Sequence, residues 1–401
     1  MTQAISKYWN DANLLEIAPI NASLVDPRKG EYRGMILIAP DHIESGSGRI
    51  IEKITAADQR AISGKYLAKR NSVIYSKIRP YLMKAAITYE DVLCSADMYP
   101  FECSEKIIPE YLLNVLLSSK FTAFANSCSN RTGIPKINRE ELAQFRFMLP
   151  PIREQNAIIA LLSTWDKAIE RTEQLIAAKE KRLRILYQKC FQPSTLMNGS
   201  WKSAKLSEYL ISRNEKLLPS EKIPLYSLTI EDGVTAKTDR YNRDFLVKDT
   251  DSKTYKVVYP GDIVFNPANL RWGAIARSEV EHKVVVSPIY EVLAIRQGIV
   301  DPELLTHALT CPRQIGIFAT KTEGTLIERM AVKLDAFLLT EILLPDTIEE
   351  QQKTAILLDS AKKEILLLKK QANAYRQQKR GLMQKLLTGQ WRVNISEEVE
   401  Q

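Results

Sequence analysis

The chain has 401 residues, 45% hydrophobic and 26% charged, with a net charge of +8. That length exceeds one ordinary core and predicts two domains plus connectors in a soluble, globular chain. No run of about 18 apolar residues is present, so no membrane span is expected. The opening MTQAISKYWNDANLLEI lacks a basic segment followed by an apolar stretch, so no secretory signal is expected. Cys94, Cys103, Cys128, Cys190 and Cys311 form no CxxC pair, and His42, His282 and His307 are scattered. That argues against a zinc site or a disulfide framework and for a reduced, cytoplasmic chain. A pI near 9.0 favours a polyanionic partner, nucleic acid being the usual one, and on charge alone a mildly basic soluble protein fits equally well.

In chain order, the first lobe, residues 1–150, carries short β-branched and aromatic runs. GMILIAPDHI, SVIYSKI and QFRFMLP read as strands, and PEYLLNVLLSSKFTAFAN (109–126) reads as helical. The loop in YSKIRPYLMK places Lys77, Arg79, Tyr81 and Lys84 close together. NRTGIPK offers Asn130, Arg131, Thr132 and Lys136 around a glycine. Arginine and asparagine suit two-pronged contacts to guanine and adenine edges, and lysine, threonine and backbone amides suit phosphates. The plain alternative for each is a solvated loop residue.

LPPIREQ then opens a helix expected from Ile152 to about Phe191, within a spacer at 151–193. The residue before proline is pushed out of helical geometry, and Glu154 suits the positive end of the helix dipole. A 3,4 spacing picks out Leu162, Trp165, Ile169, Ile176, Leu183 and Leu186, as in a coiled coil. The second lobe, 194–346, repeats the pattern. KVVYPGDIVF and KVVVSPIYEVLAI read as strands and PELLTHALTCPRQIGIF (302–318) as helical. NPANLRWG groups Asn266, Asn269, Arg271 and Trp272, with Lys333 further on. LPDTIEEQ opens a second long helix, Ile348 to Leu387 within 347–388, whose seam is Leu358, Ile365, Leu368, Tyr375, Leu382 and Leu386. Leu161, Leu175, Leu357 and Leu367 form a second apolar stripe, which suggests a further partner. The 389–401 tail is expected to return toward the first lobe.

The chain therefore states one unit twice. At an offset of 196, Gln155 falls on Gln351 and LYQKCF (186–191) on LMQKLL (382–387), and past the helix, at a shifted offset of 190, NGSWK (198–202) matches TGQWR (388–392). Upstream, Lys136-Ile137-Asn138 matches Lys333-Leu334-Asp335, and SVIYSKIRP resembles DIVFNPANLRW. The expected fold is α/β (α+β) lobes in two copies, joined by two long antiparallel helices in a coiled coil with cyclic pseudo-two-fold symmetry.

Catalytic signals are missing. NPAN (266–269) resembles the Asn-Pro-Pro-aromatic loop of amino-methyltransferases, but lacks the second proline and the aromatic. No glycine-rich cofactor loop, Walker A motif or nucleophile–base pairing can be argued. A coiled-coil adaptor whose basic lobes bind proteins fits composition and periodicity as well as a DNA reader does.

LPPIREQ, LPDTIEEQ, PGDIVF and RGLMQKLLTGQWR together resemble the DNA-specificity subunit of type I restriction–modification enzymes, across essentially the whole chain. Asn71-Ser72-Val73 stands where Gly-Asp-Ile is usual. The resemblance implies a non-catalytic subunit on double-stranded DNA, each lobe reading half of a bipartite site and the helices setting the spacing. It implies two methyltransferase subunits and restriction subunits as partners, with S-adenosylmethionine and ATP/Mg on those partners. A specificity subunit of a related methylation or defence system remains the nearest alternative.

Overall fold

The structure, a computed structural model, describes residues 9–129, 133–192, 201–236, 254–324 and 330–393. Asn130, Arg131 and Thr132 lie outside them. The chain divides into two compact units, Met1–Glu173 with Lys370–Gln401, and Gln174–Lys369. The boundary in space thus falls inside each long helix, where sequence alone placed it at the helix ends.

In the first unit, strands β1 (Asn10–Asn13), β2 (Leu24–Val25), β3 (Ile36–Ile38), β4 (Ile54–Thr55), β5 (Lys65–Ala68), β6 (Val73–Ser76), β7 (Ala85–Ile87), β8 (Val92–Cys94), β9 (Met98–Phe101) and β10 (Arg146–Leu149) are short. They form a sheet ordered β2-β5-β8-β3-β4, a sheet ordered β7-β6-β9, and a β1-β10 ribbon. Every pairing is antiparallel except β3 with β8. The 109–126 run is two helices, α1 (Pro109–Leu116) and α2 (Ser119–Cys128), not one. Ser118 makes the break: its Oγ accepts from the Phe121 amide at 3.2 Å, a cap that starts a new helix.

The second unit repeats this plan with β11 (Trp201–Lys205), β12 (Leu210–Ser212), β13 (Lys216–Leu217), β14 (Tyr226–Thr229), β15 (Gly233–Ala236), β16 (Tyr255–Val258), β17 (Ile263–Phe265), β18 (Ile275–Arg277), β19 (Val284–Val286), β20 (Glu291–Ile295) and β21 (Glu341–Pro345). The sheets run β12-β20-β17-β18 and β13-β16-β19, with a β14-β15 hairpin and a β11-β21 ribbon. The 302–318 run is again two helices, α3 (Pro302–Thr310) and α4 (Pro312–Thr320). Here Pro312, which has no amide to donate, ends the first and opens the second.

Each core sits between a sheet, its helix pair and a long helix. In the first unit Tyr75, Phe121 and Phe145 pack edge to face, at centroid distances of 5.2 and 4.8 Å. In the second, Phe265 stacks on Phe337 at 4.4 Å and Phe337 meets Phe318 at 5.1 Å. Such pairs add about 0.5–1.5 kcal/mol each beyond the area they bury.

The long helices span Ile152–Cys190 and Ile348–Leu387, within one residue of the ranges read from sequence. Their repeated opening has a concrete cause. Gln155 and Gln351 are both fully buried. Gln155 Oε1 accepts the Ile108 amide at 2.9 Å, and its Nε2 donates to the Lys106 and Pro150 carbonyls at 2.8 and 2.9 Å. Gln351 accepts the Asp301 amide at 2.8 Å and donates to the Pro345 carbonyl at 2.9 Å. In both units the glutamine ties the helix start to the chain leading into α1 or α3, and satisfies backbone groups that burial would leave without partners. In the first unit Glu154, also buried, accepts from Trp9 Nε1 at 2.9 Å and from Arg392 at 2.5 and 3.0 Å.

Every seam residue predicted from the 3,4 spacing is buried or half-buried. In the first unit Trp165 meets Tyr375 edge to face at 5.8 Å, Asp166 pairs with Lys379 at 2.5 Å, and Glu173 pairs with Arg376. In the second, Lys179 pairs with Glu364 and Glu180 with Lys369, at 2.6 and 2.7 Å. In the first unit Asp166 meets Lys379 while the later Glu173 meets the earlier Arg376, as in an antiparallel pair. Leu161, Leu175, Leu357 and Leu367, off the seam, are exposed. No helix among the described residues is long and apolar enough to cross a membrane.

Candidate nucleic-acid interface

In the first unit β6 runs out into the segment that carries Lys77, Arg79, Tyr81 and Lys84. A 3-10 turn, Pro80–Leu82, is flanked by Arg79 and Met83 in left-handed conformation. The Arg79 amide donates to the Pro135 carbonyl at 2.7 Å, and the Ile137 amide to the Lys77 carbonyl at 2.9 Å. These bonds bring Lys136 alongside the turn. The two predicted basic loops are thus adjacent in space, as far as the second is described.

Their side chains differ in availability. Lys84 is tied down, its ammonium donating to the Pro40 carbonyl at 2.8 Å. Lys77 donates to the Ala96 carbonyl at 2.6 Å and lies 5.7 Å from the Tyr99 ring centre. Arg79, Tyr81 and Lys136 are exposed. Sequence reading missed Arg139, also exposed, whose guanidinium lies 5.8 Å from the same Tyr99 ring. Its only signal was closeness in sequence to Lys136.

In the second unit β17 runs out into the matching loop. The Asn266 amide donates to the Ala274 carbonyl at 2.9 Å, and Gly273, at φ +93°, closes a 3-10 turn over Leu270–Trp272. That φ is open to glycine at no steric cost. Leu270 is fully buried and pegs the loop to the core. Asn266 spends its side-chain oxygen on the Ala268 amide at 3.1 Å, so it shapes the loop. Asn269 is exposed. The Arg271 guanidinium lies 3.9 Å from the Trp272 ring centre, and its Nη1 is 3.5 Å from Met330 Sδ. Trp272 is 58% exposed. The Val332 amide donates to the Pro267 carbonyl at 3.0 Å, which sets the segment before Lys333 beside the loop. Lys333 itself pairs with Glu323 at 2.7 Å.

The opposite end of β17 explains the PGD motif. Gly261 is left-handed at φ +85°. The buried Asp262 carboxylate accepts from the Tyr259 amide at 2.9 Å and from Arg213 at 2.8 Å. Burial pushes its carboxyl above the usual range, against those two hydrogen bonds. In the first unit Asn71 holds the left-handed position at φ +65°. Asparagine is among the few residues that take it readily, so the departure from Gly-Asp keeps the turn.

Sequence reading also missed His307. In the second unit it joins α3 to both long helices, with Nδ1 2.8 Å from Tyr187 Oη and Nε2 2.8 Å from Asp359 Oδ1.

Residues 8–180 match a family described as type I restriction modification DNA specificity domain. That match spans the first lobe and most of the first long helix, 43% of the chain. It is 35% identical over 174 residues to the type I restriction enzyme EcoDI specificity subunit of Escherichia coli, a match covering 43% of this chain and 36% of that relative. It is 25% identical over 331 residues to the MjaVIII specificity subunit of Methanocaldococcus jannaschii, 75% of each. Among solved structures, the S subunit of a type I restriction–modification system from M. genitalium aligns over 96% of this chain and 97% of its own, with a TM-score of 0.56 and 14% identity. A chain from a structure of type I complex assembly and conformational transition aligns over 97% and 100%, with a TM-score of 0.63 and 16% identity. At those identities the structural likeness speaks to the fold alone.

Proposed function

We propose that this chain is the DNA-reading subunit of a type I restriction–modification assembly, itself without catalytic activity. The observation that carries the reading is the same device built twice. In each unit the matching sheet strand, β6 or β17, runs out into a 3-10 turn, and the segment before a short helix is hydrogen-bonded beside it. The side chains shown outward differ: Arg79, Tyr81 and Lys136 in one unit, Asn269 and Trp272 in the other. Two copies with different readers suit an asymmetric, two-part DNA site, each lobe taking one half. The long helices would set the spacing between halves, and their exposed leucines would take helices of two methyltransferase subunits. Restriction subunits would complete the assembly. S-adenosylmethionine and ATP/Mg would be bound by those partners, in the cytoplasm.

The test is sequencing of methylated bases in cells that carry this chain as the sole specificity subunit together with its methyltransferase. One asymmetric, two-part motif is expected, and it should vanish when this chain is deleted. Methylation that persists unchanged after deletion would overturn the reading in favour of an adaptor.

A further inference from the structure

We propose that a cleft in the second unit docks a lysine- or arginine-bearing segment of the methyltransferase partner, an inference that rests on the reading above for that partner's existence. The cleft, about 710 Å³, opens between the β14–β15 turn, the 3-10 turn at Trp272, α3 and the start of the second long helix. One wall is apolar, with Ile230 and Trp272 both more than half exposed. Glu231, Asp232, Glu279, Glu303 and Asp359 line it, against Arg277 and Lys362. Arg277 already pairs with Glu303. This balance repels a phosphate backbone and attracts a cation, whose aliphatic stem can lie on the apolar wall.

The first unit fills the matching place with its own chain. Leu37 of β3 pairs in parallel with Leu93 of β8, and Leu225, one residue before β14, bridges in parallel to Val285 of β19. The segments that follow are therefore equivalent. In the first unit the segment Glu44–Arg49 crosses onto α1: a Cβ on Gly48 would stand 2.9 Å from Leu113 and 3.7 Å from Leu117. Arg49 then pairs with Glu44 and with Glu173 of the long helix, both at 2.6 Å. In α3 the places of Leu113 and Leu117 are taken by Thr306 and Thr310, which line the cleft. The β14–β15 turn, Ile230–Asp232, is shorter than its counterpart. One unit thus supplies its own arginine against a carboxylate of the long helix. The other leaves an acidic space where a foreign cation fits.

The experiment uses the full chain assembled with its methyltransferase subunit. A zero-length carbodiimide should join Glu231 or Asp232 to a lysine of that subunit, and a photo-crosslinking residue at Thr306 should reach the same segment. The double variant Glu231→Lys with Asp232→Lys changes only an exposed turn. It should weaken assembly at least tenfold at unchanged melting temperature. Unaltered affinity in that variant, or cross-links that end on DNA or elsewhere on this same chain, would overturn the docking site and leave the family-level reading standing. Failure of the unaltered chain to assemble with the methyltransferase at all would sink both.

Discussion

Gln155 does in one side chain what a short strand would do with three residues, and that makes it fragile to change. Removing it takes that partner from the buried Pro150 carbonyl and from the part-buried Ile108 amide and Lys106 carbonyl. A group left buried and unpaired costs about 1–3 kcal/mol. Gln155→Ala should therefore speed hydrogen exchange of the Ile108 amide at least tenfold and leave Asp301 untouched, while Gln351→Ala should do the reverse. Equal exchange in both variants would mean that the glutamines do not act locally. His307 gives a pH signature. Burial holds its imidazole below the ordinary 6.5, against the hydrogen bond with Asp359. The unfolded chain then binds the proton more readily, so the contribution is full above about pH 7 and is lost as pH falls through about 6.5 and below. Melting temperature should drop between pH 7 and 5, and His307→Gln should flatten that slope. Arg271 tests the reading loop. Arg271→Ala should cost about 1–3 kcal/mol in specific binding, at the second half-site alone, if it reads a base. Uniform weakening with a shallower salt dependence would make it a phosphate contact instead. Affinities at two salt concentrations decide between the two.

At the scale of elements, the long helices were legible almost to the residue, because only a long helix keeps one apolar face over roughly forty positions of 3,4 spacing. Strands were legible by composition. The breaks inside 109–126 and 302–318 were not, since Ser118 and Pro312 act through capping and a missing amide within otherwise helical runs. The loops proposed as readers were found as loops, yet which cations they leave exposed was hidden. Lys84 is held by a carbonyl 44 residues away, and His307 by partners 120 and 52 residues away. Sequence proximity carries no record of such contacts. If the helices set the half-site spacing, four residues inserted near both Ala177 and Asn373 add about 6 Å. The unread gap in the methylation motif should lengthen by one or two base pairs, at about 3.4 Å each. An unchanged gap with retained methylation would count against the ruler.

At the scale of the whole molecule, the internal repeat was legible and the spatial division was not. The two compact units cut each long helix in its middle, and the first unit is assembled from both ends of the chain. Exchange of residues 1–150 for the first lobe of a relative should alter one half of the methylation motif and keep the other. A motif that changes in both halves would show that the lobes do not read independently.

The split of the first unit has a consequence for synthesis. Its core needs Met383, Leu386 and Leu387, and the buried Glu154 needs Arg392. Every residue of the second unit leaves the ribosome before these do, although the first lobe is translated first. Domains ordinarily fold in the order of their synthesis, at about 5–20 residues added per second. Here the order reverses: the nascent chain can finish the second unit while the first waits, its apolar groove open, for the segment from Lys370 onward to emerge.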